Sequence, residues 1–294
     1  MGLLRKDPRP FVETLVSARG YFGHDGGHSY RSHPTFHTLA GAITARFQGL
    51  HLHSHFQPIF DARTLRAKAF EALLRPHSDD GAILSPHEAF SRSRNAVDIK
   101  TLDRLCRAVH AANFGLQCQA EQILFLNLDG RYVLQVDQNA IGDMAHVILG
   151  AVGVSPDNVV LEVIESEVDD LGRLGEVLQA YQACGFGVAI DDFGAQSSNF
   201  DRLWRLTPDI VKLDRGLLLN AGTNARARKI LPKIVDIIHD LDALVVCEGI
   251  ETQEQHEMAM EAGADMLQGY FYAFPAAVLH NGPPLMGRKE AGVY

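Results

Sequence analysis

Cysteine is scarce in this chain, and what there is does not pair. Cys106, Cys118, Cys184 and Cys247 stand far apart with no CxxC spacing. That excludes a disulfide frame or a cysteine-ligated zinc site and reads as the reduced thiols of a cytosolic protein. Long hydrophobic runs are missing too. No segment approaches the ~20 consecutive apolar residues of a membrane helix. The opening Met1-Gly2-Leu3-Leu4-Arg5-Lys6-Asp7-Pro8 has no apolar stretch long enough for a signal peptide. The expected location is cytoplasmic, with no membrane contact within this chain; a longer, membrane-tethered parent stays open. Positive charge is in deficit, with 27 Lys and Arg against 36 Asp and Glu and a formal net charge of −9. So acidic a chain does not grip long nucleic acid through a basic surface. A small phosphorylated ligand remains compatible, because bound cations can supply positive charge. Neither G-x-G-x-x-G nor a P-loop occurs, so nothing favours an open nucleotide-binding sheet.

What is present is enough apolar sequence for a full core: 46% of 294 residues are hydrophobic. Residues 1–35 read as a leader or linker, rich in Gly, His and Ser around Gly23–Ser29, with a short helix around Phe11–Ala18. Residues 36–280 read as one barrel domain and 281–294 as a tail. Seven of the fourteen histidines lie between His24 and His55. They read as solvated side chains, with a metal-binding tract as the alternative. His51, His53 and His55 alternate at period two, one face of a strand.

Short β-rich runs then alternate with helical ones. Strands are expected at His51–Phe60, Ala67–Leu74, Ile123–Leu128, Val159–Ile164, Gly187–Asp192, Ile210–Leu213, Leu244–Cys247 and Met266–Tyr272. Helices are expected around Ile99–Ala112, Leu174–Cys184 and Lys229–Asp240. Eight strands alternating with helices predict an α/β fold, a (β/α)8 TIM-barrel-like single domain.

Where these strands stop, polar residues start. Glu71, Asn127, Glu162, Glu165, the pair Asp191-Asp192, Lys212, Asp214, Glu248 and Glu251 follow or end apolar runs. A single such residue is most often a salt-bridge partner or a helix cap. So many at corresponding positions is different, because a parallel barrel gathers them at one mouth. Carboxylates brought that close repel unless cations lie between them, and an all-oxygen donor set suits Mg²⁺ or Mn²⁺. Adjacent strand residues face opposite ways, so Asp191 and Asp192 can both reach the mouth only where the strand is ending. The residues alone predict a two-metal hydrolase of a phosphate ester.

The same residues carry a resemblance. The segment Glu71-Ala72-Leu73-Leu74-Arg75 is preceded by Gln57-Pro58-Ile59. It is followed in order by Asn127, Glu162-Val163-Ile164-Glu165, Asp191-Asp192-Phe193-Gly194, Lys212-Leu213-Asp214, Glu248-Gly249-Ile250-Glu251 and Gln268-Gly269-Tyr270. This series resembles the EAL-domain family of cyclic di-GMP phosphodiesterases over roughly residues 40–276. The resemblance implies hydrolysis of cyclic di-GMP to linear pGpG with Mg²⁺ or Mn²⁺, two per site, and a homodimer. It implies Glu71, Asn127, Glu162 and Asp191 as ligands of one metal, and Asp191, Asp192 and Glu248 as ligands of the other. Glu71, Lys212 and Glu248 form the catalytic group, with either Lys212 or Glu248 taking the proton. A lysine beside two cations is expected to have a lowered pKa. Gln57, Leu74, Arg75, Asp214 and Gln268 are the implied substrate contacts, and Glu165 anchors the loop after Asp192.

The match departs from the family at Ala195-Gln196-Ser197-Ser198-Asn199-Phe200, where Thr-Gly-Tyr-Ser-Ser-Leu is usual, and at Ile164, where threonine is common. A non-catalytic cyclic di-GMP receptor with the same fold is the alternative reading. No GG[DE]EF-like segment is present, which argues against a cyclase.

Overall fold

The computed structural model describes residues 7–17, 34–128, 148–164, 170–195 and 200–287. Ten strands form one sheet: β1 (Thr35–Leu39), β2 (Ala42–Phe47), β3 (Leu50–Asp61), β4 (Ala67–Ser78), β5 (Ile123–Leu128), β6 (Val159–Ile164), β7 (Gly187–Phe193), β8 (Ile210–Leu213), β9 (Leu244–Cys247) and β10 (Met266–Leu267). β3 pairs with both β10 and β4, which closes β3 to β10 into an eight-stranded barrel. Among the described residues the helices of more than one turn are α1 (Arg9–Ser17), α2 (Pro86–Ser91), α3 (Ala96–Gly115), α4 (Leu171–Ala183), α5 (Phe200–Leu206), α6 (Arg215–Thr223), α7 (Ala225–His239) and α8 (Gln253–Ala262). The TIM-barrel-like class expected from the alternation is the one observed. Among the described residues no helix is long and apolar enough to cross a membrane.

The barrel is not wholly parallel. β4 to β10 run parallel, but β3 is antiparallel to both its neighbours. Only residues 62–66 join β3 to β4. That suffices for a hairpin, whereas a parallel crossover needs a dozen residues or more. Asp61 Oδ1 shapes the turn by accepting from the backbone N–H groups of Arg63 and Thr64 at 3.1 and 2.8 Å.

Two further features differ from the sequence expectation. The β1–β2 hairpin extends the sheet along the mouth-side half of β3. Asn113 of α3 fastens it, accepting from the Ile43 N–H at 2.8 Å and donating to the Ile43 carbonyl at 2.7 Å. The last strand, expected through Tyr272, pairs only at Met266 and Leu267. Helix α1 overlaps the short helix expected around Phe11–Ala18, and its Leu15 is fully buried with Phe36 and Phe47 in the core between strands and helices.

Candidate active site

Strand alternation builds the barrel floor before it builds the site. Ile59, Ala69, Phe125, Val160, Ala189, Ile210, Val246 and Met266, one from each barrel strand, form a separate buried cluster. In a strand the next side chain on the same face is two residues away. Two residues toward the mouth stand Glu71, Asn127, Glu162, Asp191, Lys212, Glu248 and Gln268, and on antiparallel β3 the step runs backwards to Gln57. The polar ring is thus the layer above the apolar one.

Lys212 is the hub. Its Nζ lies 2.6 Å from Glu162 Oε1, 2.5 Å from Glu248 Oε1, 3.2 Å from Asp191 Oδ1 and 3.6 Å from Glu71 Oε2. Glu162 and Lys212 are each only 1% exposed. Gln268 Nε2 donates to Glu71 Oε2 at 2.7 Å, and Asn127 Nδ2 lies 3.5 Å from Glu71 Oε1. One ammonium therefore faces four carboxylates in a desolvated floor.

The electrostatics follow from that imbalance. Burial pushes Glu162 well above the usual carboxylate range, with Glu71 and Asp191 adding to a rise that Lys212 only partly opposes. Burial likewise lifts Glu248 to about 8. Asp192 is raised by burial and then by Asp191 and Asp214. Burial works against the Lys212 charge, but Glu162, Glu248, Glu71 and Asp191 outweigh it and hold its pKa well above the ordinary value. The lowered lysine value expected from sequence is thus reversed when carboxylates alone surround the ammonium; it belongs to a field that cations have turned positive.

The site has the donors a hard cation needs. Glu162 Oε2 and Gln268 Oε1 are buried acceptors without a hydrogen bond among the described residues, while Glu162 Oε1 meets the Lys212 ammonium. Asp191, Asp192 and Glu248 each offer an oxygen, all within 4.8 Å of one another. Two adjacent aspartates share the mouth because the strand breaks between them: Asp192 takes the left-handed conformation (φ +56°), and the β7–β8 register shifts between Ile190 and Phe193. The Asp192 N–H then donates to Asp191 Oδ1 at 2.9 Å. The residues present fit divalent metal binding by charge, donor type and placement.

A cavity of about 210 Å³ opens beside the ring, lined by Gln57, Glu71, Glu248 and Gln268 from the expected set. Its other wall holds Arg215, Glu251 and Tyr270. Arg215 grips Glu251 at two points, each 2.8 Å. The signal for Arg215 was its place one residue after Lys212-Leu213-Asp214; for Gly249 it is the Arg215 side chain, which a Cβ would meet at 2.6 Å. A larger cavity of about 550 Å³ lies at the other end of the barrel, between the β3–β4 turn and Asn281–Pro284, and no ring residue lines it.

Comparison with known proteins agrees with this geometry. The sequence model of the EAL domain matches residues 40–275. The chain belongs to the EAL-domain family. It is 31% identical over 245 residues to an uncharacterized protein of Azorhizobium caulinodans, covering 80% of this chain and 32% of that one. It is 27% identical to the probable cyclic di-GMP phosphodiesterase PdeA of Escherichia coli, over 74% of this chain and 30% of the relative. It therefore spans about a third of the length of these relatives. A manganese and cyclic di-GMP complex of Klebsiella pneumoniae BlrP1 superposes with a TM-score of 0.69 at 30% identity, covering 83% of this chain and 58% of that one.

Of the implied contacts of this EAL domain, Leu74 lies on the face of β4 away from the ring, while Arg75 and Asp214 are engaged with backbone groups. Leu74 is 7% exposed and packs in the core under the helices, because strand alternation gives the mouth face to Glu71, Leu73 and Arg75. Arg75 is on the right face but outside the cavity wall, its Nη1 donating to the Leu74 carbonyl at 3.0 Å. Asp214 caps α6, accepting the Gly216 N–H at 2.8 Å, and is not part of the cavity wall. Glu165 and residues 196–199 of the divergent EAL loop lie outside the described residues.

Proposed function

We propose that this chain is an active phosphodiesterase that hydrolyses cyclic di-GMP to linear pGpG. The observation that carries the reading is the ring itself: every residue implied as a metal ligand keeps its type, and Glu71, Glu162, Asp191, Glu248 and Lys212 meet at one point. Glu71, Asn127, Glu162 and Asp191 would hold one Mg²⁺ or Mn²⁺, and Asp191, Asp192 and Glu248 a second. Such a pair would supply an activated water and charge neutralisation for the oxygen that departs in an in-line displacement.

The chain's own residues supply position and proton traffic. Lys212, bound on four sides, is held with its N–H groups toward the ring, where it orients the attacking water. Glu248, 2.5 Å from Lys212, is the neighbouring proton acceptor. Gln268 fixes the rotamer of Glu71 through its 2.7 Å hydrogen bond. Water oxygen bonds to phosphorus, the P–O3′ bond breaks, and the freed 3′ oxygen takes the proton. Gln57 and Gln268 offer amides to the guanine or ribose edge. Leu73, on the mouth face, packs on a base in place of Leu74, the contact implied by the resemblance. Arg75 reaches a phosphate by swinging off the Leu74 carbonyl, and Asp214 approaches the ligand beside Asp192. A homodimer and a cytoplasmic location belong to the same reading.

The test is incubation of the purified chain with cyclic di-GMP and Mg²⁺ or Mn²⁺, followed by chromatography. Linear pGpG, absent when a chelator is added, supports the proposal. Binding without product moves the chain to the receptor class.

A further inference from the structure

The histidines of β3 take no part in the reaction above. Strand alternation sets His51, His53 and His55 on the face that carries Gln57, and the register places His51 opposite His77 and His53 opposite Arg75 of β4. This stretch of ribbon runs outward from the ring, His53 standing roughly 13 Å from Gln57 at ~3.4 Å per residue. Two ligands at i and i+2 on one strand and a third on the next strand can close around one metal ion and leave a fourth position for water. His51, His53 and His77 have that spacing.

Two contacts favour ligation over a solvated face. The His53 and His77 rings are diagonal neighbours with centroids 4.8 Å apart and planes inclined at 36°. His51 Nε2 lies 2.9 Å from Asp79 Oδ1, an oxygen that also accepts from Arg46 Nη2 at 2.9 Å. A metal-binding imidazole commonly gives one nitrogen to the metal and the other N–H to a carboxylate that fixes its tautomer and tilt. Asp79 holds that place for His51 and leaves Nδ1 for a metal. Burial and the neighbouring imidazoles lower the pKa of His53, which keeps it in the neutral, ligating form. Arg75, the cation opposite His53, turns its Nη1 to the Leu74 carbonyl.

We infer that His51, His53 and His77 form a site for a borderline-soft divalent transition metal, of the Zn²⁺ or Ni²⁺ class, on the open face of the β3–β4 ribbon. Imidazole donors select such ions over Mg²⁺ and Ca²⁺, so this site and the acidic mouth divide the available cations between them. Among the described residues only Asp191, Asp192 and Glu248 already hold their ligand atoms within 4.8 Å. The imidazoles close on the metal by side-chain rotation, which the 39% exposure of the His51 side chain permits.

The test is calorimetric titration of the full chain with Zn²⁺ at neutral pH, with excess Mg²⁺ to occupy the acidic ring and no cyclic di-GMP present. Its outcome is therefore independent of whether the chain hydrolyses anything. The expected result is a Zn²⁺ site that vanishes in the His53→Ala/His77→Ala variant and weakens by about 10–100-fold in Asp79→Asn, with melting temperatures of both variants showing that they stay folded. Co²⁺ in place of Zn²⁺ should give visible bands of a tetrahedral nitrogen site that the same variants abolish. Unchanged Zn²⁺ stoichiometry and affinity in both variants overturns the inference, as does a site lost in Asp191→Ala instead.

Discussion

Gln268 and Glu71 are 197 residues apart in the chain, yet the Gln268 amide donates to Glu71 Oε2 at 2.7 Å. The bond joins the first and last parallel strands of the barrel across antiparallel β3 and leaves Glu71 one orientation. Gln268→Ala should therefore weaken Mn²⁺ binding by about 10–100-fold, the usual cost of losing a partner that orients a ligand. Gln268→Glu should weaken it further by setting a like charge against Glu71. Metal titrations of both variants check this; wild-type affinity in Gln268→Ala would show that the ring orients Glu71 without it.

Asp191 stands at the overlap of both proposed ligand sets, near Lys212, Asp192 and Glu248. Asp191→Ala and Glu71→Ala should each cut pGpG formation by more than about 100-fold, beyond the range of changes that merely orient ligands. The assay is product chromatography at saturating Mn²⁺. Near wild-type turnover in either variant removes that residue from the metal site.

Most of this ring was legible in the sequence, for a physical reason. Glu71, Glu162, Asp191, Lys212 and Glu248 are polar residues two steps beyond apolar floor residues, and period-two alternation is a property of the strand alone. Leu74 was misplaced although the same rule applies: a lone leucine beside another gives no polarity contrast to set the face. Asp214 caps α6 by geometry, a role its place after Lys212-Leu213 does not reveal in sequence. The β1–β2 hairpin escaped because its strands are short and β1 is largely exposed, so Thr35–Leu39 shows no clean apolar alternation. The antiparallel sense of β3 was missed, although the gap between the runs His51–Phe60 and Ala67–Leu74 is too short for a crossover.

The raised carboxylates make stability depend on pH in a definite direction. An acid whose folded pKa lies above its unfolded value binds more protons in the native state, so stability falls as pH rises between the two values. For Glu248 that window runs from 4.5 to about 8, and Glu162 adds to it in the same direction. Chelated protein should thus melt at progressively lower temperature from pH 5 to pH 8. Mg²⁺ or Mn²⁺ should restore it, most at pH 8, where the carboxylates are ionised for binding. At 100 times the dissociation constant a metal adds about 2.7 kcal/mol, or roughly 5–10 °C for a domain of this size. Thermal melts with and without chelator decide the matter. A metal effect no larger at pH 8 than at pH 5 would contradict the acidic site.

Gly269 holds the end of β10 against the loop after β9, and its freedom from a side chain is what allows it. At φ +154° a Cβ there would lie 2.1 Å from the Ile250 carbonyl oxygen and 2.3 Å from its nitrogen, both backbone atoms that cannot rotate away. The same approach lets the Ile250 N–H donate to the Gln268 carbonyl at 3.0 Å and the Phe271 N–H to the Ile250 carbonyl at 2.9 Å. Gly269→Ala should therefore cost about 2–4 kcal/mol, in the range of buried clashes and strained backbone. It should lower the melting temperature by roughly 5–15 °C. It should also weaken metal binding, because the displaced segment carries Gln268 away from Glu71. Gly153→Ala is the control, with φ +68° and nothing within 4 Å of the added Cβ, so it bears only the left-handed strain of about 1–2 kcal/mol. If the two variants melt together and bind Mn²⁺ alike, the close approach to Ile250 is not what requires glycine at position 269.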